Sequence, residues 1–341
     1  MMQWLQLSDD QRRDTLTQAE VRSGIITKAL EKDWWVTLTL KALFRTPFAN
    51  HMAFKGGTSL SKGFALIERF SEDIDIALDP QAFGMPYQER PSNTFLKELK
   101  REGSLFTRTT LNDALLAALA EFGLPHGMVT LEAEAVSENR PDADPQILHV
   151  RYTPLYDPNP YIADEVKIEV SVRSTLAPFT IRPIRSMLTE HFPRPAYPED
   201  PFHIPVVEPR KTLLEKAFLL HEEFSKPLDR IKTERLTRHL YDLHRNRSAS
   251  AMKEALEDHT LYDHLVQHRH RYNRITGIDY SRHHHSTLSF LPPAELLPPL
   301  QEDYADMRTH MIYGDAPPFD ELLQELDGLL EKFRKKQLPR P

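Results

Sequence analysis

The chain has 341 residues, no cysteine, a formal net charge of −7, 40% hydrophobic residues and 27% charged residues. That length buries a sizeable core and holds one large or two modest domains, and the missing cysteine excludes disulfides, thiol catalysis and cysteine-based metal centres, in keeping with a reducing cytoplasm. The negative balance excludes a polyanion-binding protein of the uniformly basic kind, so any RNA or DNA contact needs a local basic surface. The N-terminal Met1–Ser8 stretch lacks a signal pattern, and no apolar run is long enough to span a membrane.

In chain order, residues 8–45 read as helices. Ser8-Asp9-Asp10 caps the first, and Val21, Ile25, Ile26 and Leu30 recur at helical spacing. Trp34-Trp35-Val36 opens a second, very apolar helix expected to pack over the first strand. Met52–Phe54 then reads as a short strand, Gly56-Gly57 as a tight turn, and Thr58 and Ser59 as caps of a helix running to Phe70. Ile74, Ile76 and Leu78 alternate with Asp73, Asp75 and Ala77, so a strand puts both aspartates on one face. A helix start behind glycines suits a phosphate, and two carboxylates beside it suit Mg²⁺ with a nucleoside triphosphate. Taken singly, Asp-x-Asp is a solvated strand face and Gly-Gly a turn; their order and spacing favour the functional reading.

These residues resemble the signature of the AbiEii/AbiGii-type toxin family of nucleotidyltransferases, in the DNA polymerase β-like superfamily. The family carries a Lys-Gly-Gly-Thr/Ser-Ser-Leu-x-Lys turn followed by Arg-Phe-Ser-Glu-Asp-Ile-Asp, matched here by Lys55–Lys62 and Arg69–Asp75. The resemblance implies a toxin of a bacterial toxin–antitoxin or phage-defence pair, with a cognate antitoxin as partner. It also implies transfer of a nucleotide from an NTP in the presence of Mg²⁺ (Mn²⁺ as a substitute). Some relatives modify tRNA acceptor ends, so RNA, tRNA above all, is the first acceptor to consider.

Beyond the motif, residues 93–122 read as helical, with Leu111, Leu115, Leu116 and Leu119 forming one apolar stripe. Strands are expected at Val129–Ala133, Ile147–Tyr152 and Val166–Val172, with polar or proline turns at 139–145 and 155–160 between them. Glu169 is the candidate third carboxylate, completing a metal site or taking the proton of the attacking hydroxyl; the plain alternative is a surface glutamate paired with Lys167 or Arg173. Residues 176–208 are dense in proline and read as a connection with one short strand near Phe179-Thr180-Ile181. Six helices are expected after it, over 209–225, 233–247, 249–258, 260–272, 294–312 and 317–336.

In the first of these, Leu213, Leu214, Phe218 and Leu220 can bury one side. The resemblance gives Lys216 the nucleotide phosphates, with Lys211 as the nearest competitor. It also places Asp242, in Arg238-His239-Leu240-Tyr241-Asp242-Leu243, in the active site. Many relatives carry an acid where His239 stands, so Asp242 acts directly or orients Lys216 or Arg238; an i, i+4 pair with Arg238 is the structural alternative. The histidines and arginines of 264–285, interleaved with Tyr272, Tyr280 and Phe290, read as an RNA-facing patch.

The expected fold is α+β: a small mixed sheet with N-terminal helices forms a nucleotidyltransferase lobe over 1–205, and a C-terminal helical lobe over 206–341 closes on it. Asp73, Asp75 and Glu169 are the expected metal ligands; Gly56, Gly57, Thr58, Ser59 and Lys62 cradle the triphosphate; Lys216 and Asp242 complete the catalytic set. A cytoplasmic monomer without a membrane partner is expected. Rival readings are a γ-phosphoryl transferase with the same site and a nucleotide-binding protein without turnover. An aspartyl-phosphate phosphatase is disfavoured by Ala77 and by the preceding Gly-Gly helix.

Overall fold

The computed structural model describes residues 1–135, 143–159, 162–194 and 197–335. Residues 139–142, Pro160, Pro195 and Lys336, which fall within expected turns, the proline-rich connection and the last helix, lie outside the described residues. The chain forms two compact units, Met1–Gly63 with Phe70–Val207, and Phe64–Arg69 with Glu208–Pro341. The break falls two residues beyond the expected one, and the six residues 64–69 belong with the C-terminal unit.

The first unit begins with α1 (Met2–Leu5), α2 (Asp9–Ser23) and α3 (Thr27–Leu43). Ser8 caps α2 through a reciprocal box with Gln11. Gly24, left-handed at φ 73°, ends that helix, so Val21 and Ile26 do not share one stripe and both are exposed. Next come β1 (Met52–Lys55), α4 (Gly56–Lys62) and β2 (Ile74–Leu78). The helices α5 (Asn93–Phe106) and α6 (Asn112–Glu121) are joined by a π-helical turn over Thr107–Leu111. Leu111, Leu115 and Leu119 of the expected stripe are buried, whereas Leu116 points outward. The remaining elements are β3 (Val129–Ala133), β4 (Gln146–Tyr152), β5 (Glu165–Ser171), β6 (Phe179–Ile184), α7 (Met187–His191) and β7 (Phe202–Val207).

The strands form one mixed sheet in the order β3-β4-β5-β2-β1-β7-β6. Pairs β2/β5 and β1/β7 are parallel, and the others are antiparallel. Alternation buries Phe54, Ile74, Ile76, Ile168, Val170 and Val206 in its centre. Trp35 stacks on Tyr152 of β4, at 4.9 Å between ring centroids.

Two expectations need correction. The helix after the glycines ends at Lys62 instead of reaching Phe70; Ala65, at φ 52°, turns the chain away soon after. The proline-dense connection holds β7, a strand inside the sheet. Pro201 and Pro205 hide its pattern, and a proline there is tolerated because β7 pairs with β1 only at Phe54–Val206.

The second unit is helical: α8 (Pro209–Phe224), α9 (Thr237–Arg245), α10 (Ser250–Glu257), α11 (His259–His268), α12 (Leu297–His310) and α13 (Phe319–Lys335). Leu213, Leu214, Phe218 and Leu220 of α8 are all fully buried. Segment 64–69 joins this unit at its far end: Arg69 bridges to Ile312, and the Glu68 carbonyl accepts from the N–H groups of Tyr313 and Gly314 at 3.1 and 3.3 Å.

Candidate active site

In the first unit β1 runs into α4 without a loop, and Lys55 is the helix cap residue. Gly56 takes φ +79°, and a Cβ there would stand 2.7 Å from the Asp75 carboxyl carbon and closer still to one of its oxygens. Only glycine satisfies both the backbone angle and the carboxylate lying against it. Strand register sets Lys55 opposite Asp75, and Asp75 opposite Glu169. Directly opposed residues share a face with Cβ atoms about 5 Å apart. Glu169, Asp75 and Lys55 therefore form a row across β5, β2 and β1. Asp73 immediately precedes β2, and its carbonyl accepts the Thr58 hydroxyl at 2.5 Å.

Thr58 and Ser59 differ from the expected caps. Both are buried; Ser59 donates to the Gly56 carbonyl at 2.8 Å, and the Ser71 hydroxyl lies 2.9 Å from that of Thr58. Their side chains tie the turn to the strand that follows. Gly57 is the second residue of α4. The Lys62 ammonium forms a buried ion pair with Asp33 of α3 at 2.6 Å and donates to the Arg185 carbonyl. That ion pair ties α4 to α3. Glu169 shares its face with Lys167, and the two form an ion pair, so its in-register place beside Asp75 and the expected surface pairing both hold. Lys55 donates to Ser174 at 2.9 Å. Among the described residues, no three acidic or histidine side chains converge closely enough to enclose an ion.

In the second unit a buried cluster surrounds Asp242 on α9. Arg69 reaches its two oxygens through Nε and Nη2 at 2.7 and 2.8 Å, and Lys216 on α8 lies 2.9 Å from the second. His239, one turn before Asp242, stands 3.3 Å from the Lys216 nitrogen. Burial alone would raise the Asp242 pKa, but the charges and hydrogen bonds of Arg69 and Lys216 hold it well below the usual carboxylate range. Burial lowers the Lys216 pKa against the pull of Asp242, and burial beside Lys216 keeps His239 neutral. The single-helix pairing rule points to Arg238 for Asp242; the partners found here come from elsewhere in the chain. Lys211, the alternative to Lys216, is buried on the same helix, 3.9 Å from Glu215.

Of the RNA-facing patch expected over 264–285, His264, His270, Arg274, Arg282 and His284 are exposed, but the aromatic residues that would stack bases are not. Tyr272, Tyr280 and Phe290 are core residues, as are His268, His283 and His285. Arg269 pairs with buried Glu222, whose pKa falls to about 2 because, against the cost of burial, His283 and Arg269 hydrogen-bond to it. His285 stacks on Tyr262 at 3.7 Å.

The family model described as nucleotidyl transferase AbiEii toxin, type IV TA system, matches residues 39–325. The chain belongs to this family. The AbiEii match spans β1 through the start of α13 and so contains every candidate residue of both clusters. It makes the protein a transferase of a toxin–antitoxin family and implies an antitoxin partner. No curated protein matches the chain. A crystal structure from H. pylori, described provisionally as a nucleotidyltransferase, is similar at 16% identity and a TM-score of 0.39, over 90% of this chain and 95% of that one. Among the described residues no helix is long and apolar enough to cross a membrane.

Sequence reasoning missed two participants. Arg69 lies inside the signature but was not assigned to Asp242, 173 positions away. Lys32 of α3 forms a buried ion pair with Glu72, beside Asp73, at 2.6 Å. Within the sequence, the signal for that pair was a run of charged residues, Lys28, Glu31, Lys32 and Asp33, leading into the apolar stretch of the helix.

Proposed function

We propose that this AbiEii-family protein transfers a nucleoside monophosphate from an NTP to an acceptor hydroxyl, RNA and above all tRNA being the acceptor class. The observation that carries the reading is the in-register row of Glu169, Asp75 and Lys55 with Asp75 seated on the Gly56 backbone.

The donor set fits a hard divalent cation. Asp73, Asp75 and Glu169 offer only oxygen, and the close approach at Gly56 fixes one carboxylate. Mg²⁺ and Mn²⁺ are usually held by one or two carboxylates together with substrate phosphates. When bound, such an ion supplies charge neutralisation at the phosphates and orientation of the leaving group.

The residues themselves divide the remaining work. Asp73 and Asp75 hold the carboxylate pair in a fixed geometry. The Gly56-Gly57 turn, stiffened by the Thr58 and Ser59 hydroxyls, lets the triphosphate approach the backbone closely. In this reading Glu169 receives the acceptor proton as the new P–O bond forms at the α-phosphorus and pyrophosphate departs. In the helical unit Asp242 holds the Lys216 ammonium and the Arg69 guanidinium in one buried cluster.

The test is transfer of label from α-labelled ATP, CTP, GTP and UTP to total bacterial RNA, with wild type beside Asp73→Ala/Asp75→Ala. Label in one RNA size class, lost in the double variant, is the expected result. No transfer with any nucleotide, or equal transfer by the variant, would overturn the reading. Label arriving only from the γ-phosphate would establish the phosphoryl-transfer alternative.

A further inference from the structure

Helix α3 is buried along nearly its whole length, yet it carries Lys28, Glu31, Lys32 and Asp33 within six positions, each 5% exposed or less. Buried charges are expensive, and apolar replacement of a buried ion pair is often neutral or stabilising. Stability is therefore a weak reason for a core helix to carry four of them. Their partners supply a better one. Lys32 pairs with Glu72, the residue before Asp73, with the two side chains 3% and 7% exposed. Asp33 pairs with Lys62, the last residue of α4, and its second oxygen accepts the Met187 N–H at 2.7 Å. Lys28 pairs with Asp164, the residue before β5, which carries Glu169. Successive turns of one helix thus grip the lead-in to β2, the end of the glycine-turn helix and the lead-in to β5. All these α3 residues precede position 39, where the family match begins.

We infer that Lys32 and Glu72 are positioning residues for the carboxylate pair: their ion pair sets the backbone at Asp73, and through it the placement of Asp73 and Asp75. The loop is held on both sides, by Lys32 at Glu72 and by Thr58 at the Asp73 carbonyl. The inference rests on the metal-and-nucleotide reading of the site. Supporting residues of this kind change metal affinity or activity by about 10–100-fold when lost.

The test compares the full-length protein with Lys32→Met and Lys32→Met/Glu72→Met. The readouts are the thermal midpoint, Mn²⁺ binding by electron paramagnetic resonance with a non-hydrolysable NTP analogue, and amide hydrogen exchange over 71–75 without metal. Lys32→Met lowers the midpoint and weakens Mn²⁺ binding. In the double variant both charges go together and the midpoint returns towards wild type, while Mn²⁺ binding stays about 10–100-fold weaker and exchange over 73–75 stays faster. A double variant with wild-type Mn²⁺ affinity and exchange would overturn the inference. Should that variant not fold, Lys32→Met alone decides: weakened Mn²⁺ binding in the folded protein supports the inference, and wild-type binding overturns it. Asp73→Ala/Asp75→Ala is measured alongside. If it binds Mn²⁺ as wild type does, the metal reading fails and the inference with it; if only the Lys32 and Glu72 variants match wild type, the inference alone fails.

Discussion

Gly56→Ala separates backbone strain from loss of the carboxylate seat. Gly56 and Gly84 share φ +79°, but an added Cβ meets Asp75 at the first and nothing within 4 Å at the second. Left-handed backbone costs a non-glycine residue about 1–2 kcal/mol, so both alanine variants should lose that much stability. For a unit of this size the thermal midpoint falls roughly 2–4 °C per kcal/mol. Gly56→Ala alone must also displace the Asp75 carboxylate. Such overpacking adds about 1–3 kcal/mol, and misplacing a reacting group by about 1 Å costs on the order of 10²-fold in rate. Calorimetry should show a modest loss for Gly84→Ala and a larger one for Gly56→Ala. Mn²⁺–nucleotide binding and nucleotidyl transfer should fall about 10²-fold in Gly56→Ala only. Equal transfer by the two variants would refute the idea that the glycine exists to seat Asp75.

Three further outcomes are expected. Asp242→Asn leaves Arg69 and Lys216 without their buried carboxylate and should destabilise the helical unit by about 3–5 kcal/mol, read by urea unfolding; a loss under 1 kcal/mol would contradict the paired-cluster description. Burial lowers the His285 pKa to about 4. A base whose folded pKa lies below its unfolded value of about 6.5 contributes stability that is present above 6.5 and lost as pH falls towards 4. The thermal midpoint should therefore drop over that window in wild type and drop less steeply in His285→Phe, which keeps the stack on Tyr262; identical slopes would argue against it. Phe290→Ala should cost about 3–5 kcal/mol as a core truncation, and a variant of wild-type stability with weakened RNA binding would restore the base-stacking patch.

What was legible in the sequence was local. The glycine turn and the alternation of Ile74, Ile76 and Leu78 are written in adjacent residues, and so are the strands around residues 129, 147 and 166. Placing Glu169 beside Asp75 needed only a guess at which strands are neighbours. The rest depends on partners remote in sequence. Lys62 is expected to help cradle the triphosphate, and its ion pair with Asp33 is not visible in the motif. The arginines, histidines and tyrosines around 270–285 have the composition of an RNA surface, and composition does not report that Tyr272, His283 and His285 are buried. β7 was hidden for the opposite reason: Pro205 is a strand breaker almost everywhere except beside a partner that leaves its position without a ladder bond.

The stretch Arg69–Asp75 shows why a continuous motif need not have a continuous reason. Arg69 belongs to the helical unit, where it holds Asp242; Phe70 and everything after it up to Val207 belong to the sheet unit. Glu72 faces the core and meets α3, while Asp75 faces the row with Glu169. Seven adjacent residues therefore answer to three different constraints: a buried ion pair in one unit, a helix clamp in the other, and a carboxylate site on the sheet. Substitutions across the motif should fail in different ways. Loss at Arg69 appears first as destabilisation of the helical unit, and loss at Asp75 first as weakened metal and nucleotide binding in a folded protein. Activity alone would score the two as equal, so stability must be measured beside it before any residue of the motif is assigned to chemistry.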